Sequence, residues 1–359
     1  MRNAGTKLYL QQNVLDAAKE RIEMVFERHD PIFVSVSGGK DSSVLFDLAH
    51  REAERRGRML DVFFLDQEAE YQSTVEVMRS IMAQSHVRPH WLQVPVRMTN
   101  ATSYAEEFLF AWETGATWMR EKEHNATTTL PGSPDRFYPL IEWFESQQPD
   151  GSAFLVGLRS DESLNRYYTV TRHPATSGIT WSSNGSGGAT KYYPLYDWTF
   201  EDIWTYIADE CIAYNRVYDW QWIKGRKMRE MRVSNLIHEK AFRSLADLQE
   251  FEPDTYDRLL RRLGGVRTAA IYSREEIIFN AKRRPVQFAT WRGYRDHLLE
   301  TYTGGDERKA RFQARFAAQP KTEIAYRWQA AQLLINDWEN SIPVDGKPHE
   351  NPVKKWMNL

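Results

Sequence analysis

The chain has 359 residues, 42% of them hydrophobic, with a formal net charge of −2 and one cysteine. This supports packed cores in one sizeable domain plus an appended one, and it excludes a global basic field for nucleic acid, an intramolecular disulfide and any single-chain iron–sulfur cluster or zinc site held by four cysteines. No apolar run reaches the length of a membrane span and Met1-Arg-Asn-Ala-Gly-Thr-Lys7 lacks the apolar stretch of a secretory signal, so no membrane contact and a cytoplasmic location are expected.

In chain order, residues 8–26 read as an amphipathic helix with Val14, Ala17, Ile22 and Val25 toward a core, and 32–36 as the first strand. The loop Ser37-Gly38-Gly39-Lys40-Asp41-Ser42 follows and opens a helix carrying Val44, Leu45 and Leu48. Residues 61–66 are a second buried strand, 74–84 a helix and 91–96 a third strand. Within an insertion over 99–149, helices are expected at 104–112 and 118–124. Residues 154–158 form the fourth strand, and 178–193 a hairpin whose tip, Asn184-Gly-Ser-Gly-Gly188, is a flexible turn because no helix pattern follows it. Alternating strands and helices predict a doubly wound α/β fold with a mainly parallel sheet. After Tyr218, helical spacing takes over at 241–251, 254–263, 274–283, 290–302, 307–317 and 323–340, giving a mostly helical C-terminal region. The expected organisation is a nucleotide-binding domain over 1–218, a helical domain over 219–341 and an extended proline-rich tail over 342–359.

The loop at 37–42 has the chemistry of a phosphate cradle. Two glycines let the backbone turn and approach an anion, serine and lysine donate to oxygens, and the helix that follows aims its unpaired N–H groups at the same point. Asp41 would be misplaced beside bare phosphate but suits a divalent cation held between protein and nucleotide, which makes it the candidate Mg²⁺ ligand. The Walker pattern cannot be laid over these residues. In a doubly wound sheet functional residues recur after each strand. The second strand ends in Asp66-Gln67-Glu68, and the fourth in Gly157-Leu-Arg-Ser-Asp-Glu-Ser163 with Arg166 close behind. Arg159 and Arg166 suit charge neutralisation on an α-phosphate and a leaving pyrophosphate, because a guanidinium keeps its proton and donates through a planar fork.

Ser37-Gly-Gly-x-Asp-Ser42 resembles the signature of the PP-loop ATP pyrophosphatases. Together with Gly157-Leu-Arg-x-x-Glu-Ser163 and Tyr193-Pro-Leu-Tyr-Asp-Trp-Thr-Phe-Glu-Asp-Ile-Trp-Thr-Tyr-Ile207 it resembles the phosphoadenosine-phosphosulfate (PAPS) reductase branch, over roughly residues 10 to 220. The resemblance implies an adenine nucleotide alpha hydrolase-like fold. It assigns Ser35, Ser37, Gly38, Gly39, Lys40, Asp41, Ser42 and Ser43 to the nucleotide-phosphate loop, Asp66 to the neighbourhood of ribose and substrate, and Gly157, Arg159 and Glu162 to the second loop. The segment from Pro194 to Trp204 resembles a packing motif, with Trp198, Ile203 and Trp204 as core residues.

The chain departs from the reductases in lacking their C-terminal Glu-Cys-Gly-x-His motif, and Tyr214-Asn-Arg-Val-Tyr-Asp219 stands where they carry Tyr-Asn-Pro-Leu-Tyr-Asp. Such departures resemble a subgroup without the reductase cysteine whose members are often encoded beside ParB-like nuclease proteins. Cys211 is expected to be a small buried hydrophobe. The leading expectation is a Mg²⁺-dependent ATP pyrophosphatase or adenylyltransferase that uses Lys40, Asp41 and Arg159 to activate an acceptor. The alternative is a nucleotide-sensing regulatory subunit working with a ParB-like partner without turnover, and sulfonucleotide reduction ranks third. The basic clusters at 224–232, 258–262, 282–284 and 308–315 are either solvated helix faces or nucleic-acid contacts.

Overall fold

A computed structural model describes residues 10–99, 108–172, 179–237, 245–263, 284–285, 287–302 and 305–334. The chain divides into two compact units, residues 1–97 with 110–234 and residues 98–109 with 235–359.

The first unit is built on a six-stranded sheet among the described residues, in the order β3 (Val87–Leu92), β2 (Leu60–Leu65), β1 (Ile32–Ser35), β6 (Ala153–Val156), β8 (Thr190–Tyr192), β7 (Ser182–Asn184). All neighbours are parallel except β7, which returns antiparallel to β8 as the expected hairpin. Val34 of β1 lies opposite Val62 of β2 and Leu155 of β6. The apolar runs are continuous because both faces are covered. Ile32, Val34, Val62 and Leu155 pack with α1 (Val14–Arg28), α2 (Lys40–Arg56), α3 (Gln72–Met82) and α6 (Phe200–Asp209). Phe33, Phe63 and Phe154 point the other way, toward Leu140 and Phe144 of α4 (Phe137–Ser146), with Phe33 stacked on Phe154 at 4.6 Å. The fold is thus α/β and doubly wound, as the alternation of elements predicts.

Local signals set the helix ends. Asn13 accepts from Asp16 N to start α1, Thr199 and Asp202 form a capping box on α6, and Gly57 closes α2 in the left-handed region. The Pro194–Trp204 motif packs as expected. Arg21 forks onto Asp197 at 2.7 Å and donates to Pro194 O, and Trp198 Nε1 donates to Val14 O at 3.0 Å.

Three expectations are corrected. The third strand starts at Val87, four residues early, because β3 is an edge strand where Pro89 needs no ladder partner for its missing N–H. The insertion carries no helix at 118–124, and Phe108–Ala111 is a strand, β5, paired with β4 (Val96–Thr99), so a distant strand partner overrides local helical spacing. Cys211 is exposed, in the left-handed region at φ 52, on the turn that ends α6.

The second unit is helical among its described residues outside 98–109. It contains α8 (Leu245–Phe251) and α9 (Pro253–Arg262), then Trp291–Glu300, Asp306–Ala318 and Glu323–Leu334. Trp291 packs on Ala330, and Phe312 and Phe316 on Leu333. The expected helix at 274–283 and the tail at 342–359 lie outside the described residues. Among the described residues no helix is long and apolar enough to cross a membrane.

Candidate active site

β1 and β6 lie side by side, but the chain leaves them toward opposite sides of the sheet, to β2 from β1 and to β7 and β8 from β6. This is the switch point at which diverging connections open a crevice at the strand ends. Ser35 closes β1, and Val36 still donates to Phe63 O at 2.9 Å, so the ladder runs up to the loop. Gly38 has φ 70, and a Cβ there would lie 2.7 Å from Thr74 Cγ2, so both backbone and space require glycine. Gly39 is the N-cap of α2 and offers no side-chain cap. Serines knit the turn instead. Ser37 N donates to Ser42 Oγ at 3.2 Å, while Ser42 Oγ and Ser43 Oγ donate to Gly39 O at 2.9 and 3.1 Å. Among the described residues no protein acceptor takes the N–H groups of Gly38, Gly39, Asp41 and Ser42, an arrangement that with the α2 dipole suits an anion.

Gly157 brings the second loop onto the first. A Cβ at this position would lie 3.1 Å from the Asp41 carbonyl and from Ser42 Cα, so the exit of β6 rests directly on the first turn of α2. Arg159, buried, then donates through Nε to Asp41 Oδ1 from 118 residues away in sequence. Lys40 Nζ holds the other carboxylate oxygen at 2.8 Å and lies 5.4 and 5.5 Å from the ring centres of Phe200 and Tyr218. Arg159 is 3.6 Å from Glu162, which pairs in turn with Arg166 on α5 (Leu164–Arg172). The order Lys40, Asp41, Arg159, Glu162, Arg166 alternates in sign, with three cations to two anions. Incoming phosphate oxygens would compete with Asp41 and Glu162 for those cations.

Asp66 lies at the same sheet edge, and its carboxylate is taken up by protein donors. Fully buried, it accepts from Glu68 N at 3.0 Å, from Trp91 Nε1 and Gln93 Nε2 at 2.8 Å each, and from Arg120. Glu68, at φ 66, accepts from the N–H groups of Trp112 and Met119 at 2.7 and 3.1 Å and so ties the insertion to the strand end.

Two residues that carried no assigned role in the sequence reach loop 37–42 from the turn before α7 (Val217–Ile223) and from that helix itself. Asn215 Nδ2 donates to Gly38 O at 3.2 Å and to Thr74 Oγ1 at 2.8 Å, and Tyr218 Oη accepts from Lys40 N at 3.0 Å. Burial, then the Asp41 and Glu162 charges, push the Tyr218 phenol well above its ordinary value, so it stays protonated. The motif at 214–219 was visible in the sequence, but its contacts span 177 and 178 positions and no local pattern encodes them.

Residues 31–269, more than half of the chain, match the phosphoadenosine phosphosulfate reductase domain, and residues 225–328 match a domain of unknown function (DUF3440). Uncharacterized protein YbdN of Escherichia coli (strain K12) is 28% identical over 313 residues, 82% of this chain and 77% of that protein. Adenosine 5'-phosphosulfate reductase of Oceanobacillus iheyensis is 24% identical over 192 residues, 52% of this chain and 66% of the reductase. The solved PAPS reductase of Candida auris aligns at 12% identity with a TM-score of 0.32, over 64% of this chain and 98% of that one.

Proposed function

The chain belongs to the phosphoadenosine phosphosulfate reductase domain family, nucleotide-binding proteins of the PP-loop kind, and from that premise we propose that it binds ATP at loop 37–42 and cleaves the bond between the α- and β-phosphates to activate an acceptor. The observation that carries this reading is the convergence of two loops at the switch point, where the open N–H groups of the α2 start meet the Arg159–Asp41 pair.

The donor set fits Mg²⁺ carried by the nucleotide. Among the described residues no group of three or more His, Cys, Asp or Glu side chains converges, but one carboxylate suffices for an ion that takes its other ligands from phosphates and water. Asp41 is that carboxylate, in the same loop as the Ser37 and Ser42 hydroxyls, which lie 3.3 Å from each other. When bound, the ion would neutralise phosphate charge. The protein does the rest by position and electrostatics. The loop N–H groups hold the phosphates, Lys40 and Arg159 exchange their bonds to Asp41 for bonds to phosphate oxygens, and Arg166 draws Glu162 away from Arg159. An oxygen of the acceptor attacks the α-phosphorus, the new P–O bond replaces the bond to pyrophosphate, and the acceptor's proton leaves to solvent.

Equilibrium ATP binding, together with pyrophosphate release in the presence of nucleic-acid and small-molecule acceptors, tests the reading. Gly38→Ala with Asp41→Ala should weaken ATP·Mg²⁺ binding by about tenfold or more. Unchanged affinity would remove the site assignment. Saturable binding with no release for any acceptor would move the protein from catalysis to nucleotide sensing.

A further inference from the structure

The turn carrying Asn215 and the start of α7, which carries Tyr218, close over loop 37–42, and their chemistry has a gap that a ligand would fill. Tyr218 Oη accepts the Lys40 N–H, the first backbone donor of α2, and would lie 3.4 Å from a Cβ at Gly39, so the phenol oxygen stands over the positive end of the helix. A hydroxyl that accepts still has a proton to give. Among the described residues no hydrogen bond donated by Tyr218 Oη is present, although the side chain is buried. The ring is fixed by Trp204, edge-on at 5.4 Å, and by the Lys40 ammonium above it. Asn215, also buried, holds Gly38 O and Thr74 Oγ1 from the amide group and accepts the Val217 N–H at 3.0 Å, which locks both the loop and the start of α7.

We propose that Tyr218 is a phosphate-binding residue of this site, its oxygen anchored by the Lys40 N–H and its O–H proton donated to a polyphosphate oxygen, with Asn215 as the positioning residue that sets the loop against it. The proposal rests on the reading of loop 37–42 as a nucleotide-phosphate site and adds a donor from a distant part of the chain. The anion must then lie between the α2 start and α7, which favours ligands with at least two linked phosphates that can reach both the open loop N–H groups and the phenol.

The test is calorimetric titration of the full chain with ATP, inorganic pyrophosphate and adenosine, on the wild type, Tyr218→Phe and Asn215→Ala. A hydrogen bond to a charged oxygen predicts that Tyr218→Phe weakens ATP and pyrophosphate by about tenfold or more while leaving adenosine within about twofold. Asn215→Ala should give the same selective pattern, which keeps the idea testable if the phenylalanine variant does not fold. An equal loss for adenosine, or ATP and pyrophosphate affinities within about twofold of wild type, overturns the assignment. If the wild-type chain binds neither ATP nor pyrophosphate, the nucleotide reading itself falls. If the wild type binds both and the variants bind them equally well, only the Tyr218 proposal falls.

Discussion

Asp41 and Asp66 both stand at the carboxyl edge of the sheet in the first unit, both pair with an arginine brought from far along the chain, and they do different work. Asp41 is shared by two cations, Lys40 and Arg159, and retains 9% of its exposure beside open backbone donors. Asp66 retains none, and three of its four partners are neutral N–H groups. Cations that hold a carboxylate can exchange it for a phosphate, whereas amide and indole donors that satisfy one carry no charge to offer a phosphate. Under the proposed function the same residue type at the same kind of position is a reagent in one place and a brace in the other, and the partners decide which.

Removing the brace should have the largest effect. Asp66→Ala strips the acceptor from Trp91, Gln93 and Glu68 N and leaves the largely buried Arg120 side chain with only Glu123, at 3.6 Å, as counter-charge. A loss of about 3–5 kcal/mol in unfolding free energy is expected, read by denaturant titration. Asp41→Ala should lose less, and pyrophosphate should restore part of its thermal midpoint because the freed cations face a ligand site. The same pyrophosphate should not protect Asp66→Ala beyond the shift it gives wild type. Equal rescue of both variants would erase the distinction.

Arg159 sharpens the comparison from the other partner. Arg159→Ala should lower single-turnover pyrophosphate release by about a hundredfold or more, with a smaller change in ATP affinity, as for loss of one donor to developing charge. Lysine should rescue only in part, since it lacks the fork. Collapse of binding with a normal rate at saturation would make Arg159 a ground-state ligand instead.

The contrast between the two acids also marks what the sequence could tell. The strand, the glycine turn and the helix at 32–56 are local, as are the apolar runs of β2 and β6, so the strand–turn–helix that carries loop 37–42 and the parallel sheet were legible. Gly38 and Gly157 could be named as loop glycines, but the reason each must be glycine is Thr74 in one case and the first turn of α2 in the other. Asp66 was visible as an acid at a strand end. That Trp91, Gln93 and Arg120 consume its carboxylate depends on β3 and on the insertion, the two places where reading local spacing went astray. Asn215 and Tyr218 carried no role in the sequence for the same reason, because their partners lie across the fold.

A smaller effect appears at alkaline pH. Burial raises the phenols of Tyr218 and Tyr206, with the Asp41 and Glu162 charges adding to the first and the hydrogen bond to Asp47 to the second. A group whose folded pKa lies above its unfolded value gives stability that is fully present below the unfolded value, about 10 for tyrosine, and is lost as pH rises through the folded one. The thermal midpoint should accordingly decline above about pH 10, and Tyr206→Phe should flatten that decline. Asp41→Ala should also flatten it, because the Asp41 charge helps raise Tyr218, whereas Asp66→Ala should leave its slope unchanged. A slope that Asp66→Ala alters and Asp41→Ala does not would invert the assignment of the two acids.

The smallest effect expected is at Cys211, and its smallness is informative. A thiol mechanism would need this one cysteine to act as nucleophile, and a reactive thiolate needs a nearby cation or helix N-terminus to lower its pKa. Cys211 stands instead just past the C-terminal end of α6, where the dipole is negative, and its sulfur donates to Ala208 O at 3.5 Å. Cys211→Ser keeps a donor of similar size at an exposed position, so pyrophosphate release and the thermal midpoint should both stay within experimental error of wild type. Loss of turnover in a folded Cys211→Ser protein with normal ATP affinity would transfer the chemistry from the Arg159–Asp41 pair to the thiol, and would make Asp41 a brace after all.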